Sequence, residues 1–207
     1  MHITEANGGS YRFKRRQRSR AALGNRQPIC YTPDMETRTC FLLTAEALDF
    51  HDCMTLRFYA LSDEGEPLKI EVEGERGVFF VPSGACLPDD VRPSERRTLP
   101  LRSLEGSEVD AVYFTSLADH RKAVELLDAA RAQTFESDID PVDRYLMERF
   151  IHGQCQVRGV MHKAGRLLTV QQATLTPAEA KPHFRMASLD IETGKSESIL
   201  YSIAVHL

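Results

Sequence analysis

Phe184-Arg-Met-Ala-Ser-Leu-Asp-Ile-Glu-Thr193, near the end of a 207-residue chain, alternates polar and apolar side chains from Ser188 onward. Alternation with period two marks a strand, in which every second side chain shares a face. Asp190 and Glu192 then point the same way, roughly 7 Å apart along the backbone. Leu189 and Ile191 point to the opposite side, into a core that anchors the strand. Two carboxylates on one strand face suit a hard divalent cation such as Mg²⁺ or Mn²⁺, which prefers oxygen ligands. Two-metal phosphoryl chemistry uses such a pair together with further carboxylates from elsewhere in a fold. Spacing alone leaves a plainer reading open, in which two solvated acids sit at a strand end. A second Asp-x-Glu, Asp34 and Glu36, falls in what reads as a loop and is assigned no function.

Working outward, Thr193-Gly-Lys-Ser196 turns the chain into a second strand, Ile199 to His206. Upstream, Pro177 to Pro182 reads as a linker. Cys155 to His162 and Leu167 to Thr174 form a hairpin around Lys163-Ala-Gly-Arg166. Asp140 as N-cap, Pro141 at the first helical position and Asp143 in the first turn start a helix. The pattern carries it through Ile151 to a stop at Gly153, with Tyr145, Leu146, Met147, Phe150 and Ile151 as packing residues. Arg144 and Arg149 are within its reach for phosphate, although exposed helical arginines usually only solvate. Thr134 to Ile139 reads as a strand. Residues 117–132 read as a second helix, with Leu117, Val124, Leu127 and Ala130 on its apolar face. Earlier strands are Thr39–Leu43, Thr55–Leu61, Leu68–Val72, Val78–Val81 and Val109–Phe114. Ser62 to Pro67 is a hairpin loop, and Ser83 to Pro100, rich in proline and charge, reads as a longer loop. The fold class is mixed α and β (α+β): a β-rich region with two helices.

Composition is that of an ordinary globular chain, 42% hydrophobic and 27% charged, and no apolar run nears the roughly 20 residues of a membrane helix. No membrane association is expected. The five cysteines, Cys30, Cys40, Cys53, Cys86 and Cys155, are dispersed, which argues against a disulfide framework and for a reducing compartment. His51 and Cys53 are the nearest approach to a zinc-ligand pair, and no further ligands accompany them. Charge is uneven. Residues 1–26 carry Arg12, Lys14, Arg15, Arg16, Arg18, Arg20 and Arg26 against Glu5, a net of +6, which leaves −10 for the rest of a chain whose total is −4. Residues 1–35 lack periodicity and read as a basic disordered tail. The run Arg12 to Arg20 is a candidate for contacting nucleic-acid phosphates; a solvated tail is the plainer alternative.

Two segments together carry a resemblance. Ser188-Leu-Asp-Ile-Glu-Thr193 with Leu200-Tyr-Ser-Ile-Ala204 resembles the first exonuclease motif of the family B DNA polymerases and its next strand. Asp138-Ile-Asp-Pro-Val-Asp-Arg-Tyr-Leu-Met-Glu-Arg-Phe-Ile151 resembles the segment that precedes that motif, most closely in the bacterial DNA polymerase II type. Val91-Arg-Pro-Ser-Glu-Arg96 resembles part of the same pattern but lacks the Tyr-Leu-Met continuation, so it is read as a loop. The resemblance implies residues 36–178 as a polymerase N-terminal domain and residues 179–207 as the start of a ribonuclease H-like 3′–5′ exonuclease domain. It implies Asp190 and Glu192 as the first metal-binding and catalytic carboxylates of a two-metal Mg²⁺ site. It implies DNA as partner, as primer-template and single-stranded 3′ end. Sliding-clamp contacts would lie in regions outside this chain, and the location would be cytoplasmic, at the bacterial nucleoid. The later nuclease motifs and the palm motifs are absent, so the chain is expected to be a front fragment that neither polymerises nor proofreads by itself. Two alternatives stand beside it: a non-catalytic nucleic-acid-binding module using the basic tail and an open sheet, and a stand-alone metal-dependent nuclease.

Overall fold

Apolar residues at alternate positions build most of the molecule from strands. The computed structural model describes residues 35–194 and 199–207. In chain order its elements are β1 (Met35–Phe50), β2 (Cys53–Ser62), β3 (Pro67–Glu73), β4 (Gly77–Pro82), β5 (Glu95–Arg102), β6 (Glu108–Phe114), α1 (Leu117–Ala129), α2 (Pro141–Glu148), β7 (Gln154–Ala164), β8 (Leu167–Pro177), β9 (Ser188–Thr193) and β10 (Leu200–His206). The fold is mixed α and β, rich in strands, with two helices.

Five strands close into a barrel in the order β1-β2-β3-β8-β7. All neighbours are antiparallel except β3 and β8, which run parallel through Leu68↔Leu168 to Ile70↔Val170. That parallel pair is possible because the long stretch between β3 and β7 crosses over, carrying β4–β6 and both helices. β7 closes the barrel onto the first half of β1, from Met35↔Val160 to Phe41↔Gln154. Met54, Leu56 and Phe58 of β2, Leu68, Ile70 and Val72 of β3, and Val157, Val170 and Leu175 of the last hairpin fill the interior. Cys40 and Cys155 face each other across β1 and β7, buried, with their sulfurs 3.6 Å apart. The hydrogen-bonded Cys155 thiol and burial push the Cys40 thiol up, so it stays protonated.

The crossover builds a second layer. β4, β6 and β5 form a three-stranded sheet, with β6 in the middle. Phe79, Val81, Val112 and Phe114 on one of its faces pack against Ala123 and Leu127 of α1. His120 is buried between the rings of Phe79 and Phe114, at 5.6 and 5.8 Å, and burial lowers its pKa, so it packs as a neutral ring. α2 seals the barrel: Val142 and Tyr145 are buried, and the Tyr145 hydroxyl accepts from the Leu175 amide at 3.3 Å.

Both helices are capped. The Asp140 carboxylate accepts from the Val142 amide at 2.8 Å. At α1, Ser116 accepts from Asp119, and Asp49, 68 residues before Leu117, accepts from the Leu117 and Ala118 amides at 2.6 and 3.0 Å. Burial would raise the Asp49 carboxyl, but those two amides and the Ser116 hydroxyl outweigh it and hold the group below its usual range. Asp49→Ala is expected to cost about 1 kcal/mol at pH 7. The folded pKa is the lower one, so this contribution is present above the unfolded value and is lost as pH falls through the folded value. Urea midpoints of the two proteins should therefore converge from pH 7 towards acid.

Several expectations are corrected. β5 occupies part of the stretch read as a loop: Glu95 and Arg96 pair with Tyr113 and Val112 at a sheet edge, where charge is tolerated. The strand expected at Thr134–Ile139 reduces to one bridge, Phe135 to Phe80. α1 ends at Ala129 and buries His120 and Ala123 rather than Ala130. α2 ends at Glu148, because the chain turns to a positive φ of 53° at Phe150; Phe150 and Met147 are exposed rather than packed. β1 runs through Phe50, far past Leu43, because its second half pairs with β2 down to the turn at His51 and Asp52. Glu36 lies in that strand, not in a loop. The residues after Pro177 are tied to the barrel: Ala180 is buried, the Lys181 amide donates to Asp63, and Phe184 meets Phe41 edge-on at 5.4 Å.

Candidate metal and nucleic-acid sites

Asp190 and Glu192 stand on β9, which pairs with β10 in a two-stranded sheet. Asp190 lies opposite Ala204 and Glu192 opposite Ser202. Opposed residues of an antiparallel pair share a face. One face therefore carries Asp190, Glu192, Ser202 and Ala204, and the other carries Leu189, Ile191, Ile203 and Val205. The alternation expected from sequence is present. The anchoring is not. Leu189, Ile191, Ile203 and Val205 are 60, 51, 54 and 60% exposed. A two-stranded sheet has no inner layer of its own, and nothing among the described residues packs over this face.

The two carboxylates offer oxygen ligands on a shared face, which fits a share of a divalent cation's shell. Among the described residues no group of three or more His, Cys, Asp or Glu side chains converges. By themselves the two carboxylates offer fewer oxygen ligands than a hard divalent cation takes. His51 lies in the β1–β2 turn and Cys53 opens β2, its thiol donating to the Phe50 carbonyl at 3.1 Å.

The basic residues Arg12, Lys14, Arg15, Arg16, Arg18 and Arg20 lie outside the described residues. Among the described residues the largest sheet is a closed barrel, and the open sheets are the three-stranded β4-β6-β5 and the two-stranded β9-β10. Arg144 is committed to Glu136 at 2.7 Å and Glu148 at 3.7 Å. Arg149 lies 3.7 Å over the Tyr145 ring and reaches Glu75 at 3.4 Å. These two arginines join α2 to its surroundings rather than standing free for phosphate. No described helix is long and apolar enough to cross a membrane.

Sequence reading missed two features of the barrel surface. A cleft of about 670 Å³ separates Leu42–Ala47 of β1 from the N-cap Asp140 and from Val142, Asp143 and Leu146 of α2. A second, of about 430 Å³, lies between the β1–β2 turn and the β7–β8 hairpin. Its one local signal is Phe50-His51, an aromatic pair beside a turn.

Comparison with known proteins gives this geometry a context. DNA polymerase II of Escherichia coli (strain K12) is 29% identical over 160 residues, which are 74% of this chain and 20% of that protein. In sequence and in fold, the chain resembles the N-terminal part of a family B DNA polymerase. The structural likeness is to the family B DNA polymerase of the hyperthermophilic archaeon Pyrobaculum calidifontis, with a TM-score of 0.54 and 18% identity over 74% of this chain and 22% of that one. At that identity the likeness to the archaeal polymerase is one of fold. No family model matches the chain. The chain spans about a fifth of the length of the bacterial polymerase it matches.

Proposed function

We propose that this chain is the front portion of a DNA-directed DNA polymerase with a 3′–5′ proofreading nuclease, acting on primer-template DNA in replication and repair at the bacterial nucleoid. One observation carries the reading: similarity to DNA polymerase II over 160 residues. The polymerase-like fold supports it. In this reading β9 and β10 begin the nuclease domain, and residues 36–178 form the polymerase N-terminal domain.

Asp190 and Glu192 are the first carboxylates of the nuclease, holding part of the shell of bound Mg²⁺. The ion, when bound, supplies a Lewis acid that activates water and stabilises the departing 3′ oxygen. The chain's own contribution is positional: β9 places both carboxylates on one face, and pairing with β10 fixes their spacing. Two carboxylates do not complete a two-metal set, so the 207-residue chain alone neither trims nor extends DNA. Clamp contacts belong to parts of the enzyme outside these residues.

The test uses the full reading frame that contains this chain. Its product is expected to extend a primed template and to trim a mispaired 3′ end when Mg²⁺ is supplied. Asp190→Ala should reduce trimming on the order of 10²–10³-fold and leave extension unchanged. Trimming that survives Asp190→Ala would sink the metal assignment, and a product that extends no primer would sink the polymerase reading.

A further inference from the structure

We propose that the cleft between the β1–β2 turn and the β7–β8 hairpin binds an unpaired base of single-stranded nucleic acid. The inference rests on the barrel and is independent of whether the whole protein is a polymerase.

Topology is the first argument. β1-β2-β3 form an antiparallel meander, a long crossover follows β3, and the β7–β8 hairpin closes the barrel with β8 parallel to β3. Five-stranded Greek-key barrels of this kind bind oligonucleotides over their second and third strands, between the loop joining the first two strands and the loop joining the last two. The cleft is walled by the first of those loops, by the end of β3 and by the β7 and β8 strands themselves rather than the loop that joins them. Phe50 and His51 line it from the first, Glu73 from the end of β3, and His162, Gln171 and Gln172 from β7 and β8.

The lining has the chemistry of base recognition. Phe50 is 39% exposed, and the His51 ring stacks on it with centroids 4.1 Å apart and planes 25° from parallel. Two stacked exposed rings make a flat π surface, on which any base can lie. Across the cleft, β8 presents two consecutive glutamines. Consecutive strand residues normally face opposite sides. Here the β7–β8 register shifts between Arg158 and Val160, and Gln172 takes a φ of 50°. The irregularity brings Gln172 to the same cleft as Gln171. A side-chain amide both donates and accepts, matching the donor and acceptor edge of a base.

Charge decides between base and backbone. Among the described residues the lining includes Glu73 and neither lysine nor arginine. A phosphate is therefore not held here, and the base enters while the backbone stays in solvent.

The test is fluorescence anisotropy of the full 207-residue chain with labelled dT8 and with an abasic strand of equal length. Salt is set at 200 mM, where phosphate attraction to residues 1–26 is weakened. dT8 is expected to bind more tightly than the abasic strand. Phe50→Ala should weaken dT8 about tenfold and leave the abasic strand unchanged, while Phe50→Tyr restores dT8 binding. Gln172→Ala should act in the same direction. Melting curves confirm that each variant is folded, as expected for substitutions at exposed side chains. Equal loss on both probes, no loss on dT8, or no binding of dT8 by the folded parent chain overturns the proposal.

Discussion

Asp110→Ala is expected to destabilise the protein by about 3 kcal/mol at pH 7, although the residue lines neither cleft. Asp110 lies in the middle strand of the β4-β6-β5 sheet and is 5% exposed. Its carboxylate accepts from the Ser83 hydroxyl at 3.0 Å, the Thr98 hydroxyl at 2.9 Å, the Gly84 amide at 3.3 Å and the Arg96 Nε at 2.9 Å. Arg96 adds a second contact through Nη2 at 2.8 Å. One side chain thus ties β5 and the turn after β4 to β6. Truncation leaves these donors without their shared acceptor, and orphaned buried donors cost more than the bonds were worth. Arg96 keeps some access to water, which sets the estimate at the low end for a broken buried pair. For a chain of this size the loss is a drop of roughly 6–12 °C in Tm.

The pH dependence identifies the cause. Burial by itself would raise the Asp110 carboxyl, but Thr98, Arg96, the Gly84 amide and Ser83 together hold it below the usual range. A depressed folded pKa contributes stability above the unfolded value and loses it as pH falls through the folded one. The gap between parent and Asp110→Ala should therefore narrow in acid. Asp110→Asn should recover only part of the loss, because an amide nitrogen would face donors. A gap that is constant with pH would assign the effect to packing instead. Hydrogen exchange at β5 should quicken in the variant, since β5 is the edge strand that Asp110 retains.

The contrast between Asp110 and Asp190 shows which parts of this molecule are legible in sequence. Asp190 sits in a local alternation of six residues, so its strand, its face and its partner Glu192 follow from the period alone. The strands read at 55–61, 68–72, 78–81 and 109–114 are found within a residue or two of those bounds, as are the helix starts read at Leu117 and, from its cap, at Asp140. Asp110 interrupts the apolar run Val109 to Phe114, and nothing local says that its partners come from Ser83, Gly84, Arg96 and Thr98. Asp49 is equally silent, because the helix it caps begins 68 residues later. β5 escapes notice because Glu-Arg-Arg-Thr-Leu-Pro-Leu-Arg has the charge and proline of a loop, which an edge strand also tolerates. Barrel closure is non-local too: β1 meets β7 and β3 meets β8 across about a hundred residues of chain. The end of α2 misleads in the other direction. Apolar residues continue through Ile151, but the backbone leaves the helix at Arg149 and turns at Phe150. The carboxylate pair was thus readable, and the second cleft was not, since its walls are four segments that only the closed barrel brings together.

Gly159→Val should be the most damaging single change within the barrel, and Gly159→Ala should already cost about 3 kcal/mol. Gly159 is buried in β7, where the pairing with β8 slips, and it lies opposite Glu36 of β1 on its other side. A Cβ placed there would meet the Gln171 carbonyl oxygen at 2.7 Å, Val170 Cγ1 at 2.7 Å and Ala173 Cα at 3.2 Å. Two of these atoms belong to backbone, so rotating a side chain does not relieve the clash. The strand has to move away from β8, which opens the seam that closes the barrel. Gly165 supplies the control. It occupies the β7–β8 turn at a φ of 63° with open space around its Cβ direction, so Gly165→Ala should cost only about 1–2 kcal/mol of backbone strain. Thermal melts of the three variants should rank Gly159→Val lowest, then Gly159→Ala, then Gly165→Ala. If Gly159→Ala melts as high as Gly165→Ala, the close approach of β7 and β8 is wrong. The same pair of strands carries Gln171 and Gln172, so any Gly159→Ala protein that still folds should also lose the preference for dT8 over the abasic strand. Phe50→Ala should lose that preference with its melting temperature intact. The two variants thereby separate the architecture that positions the base cleft from the ring that lines it.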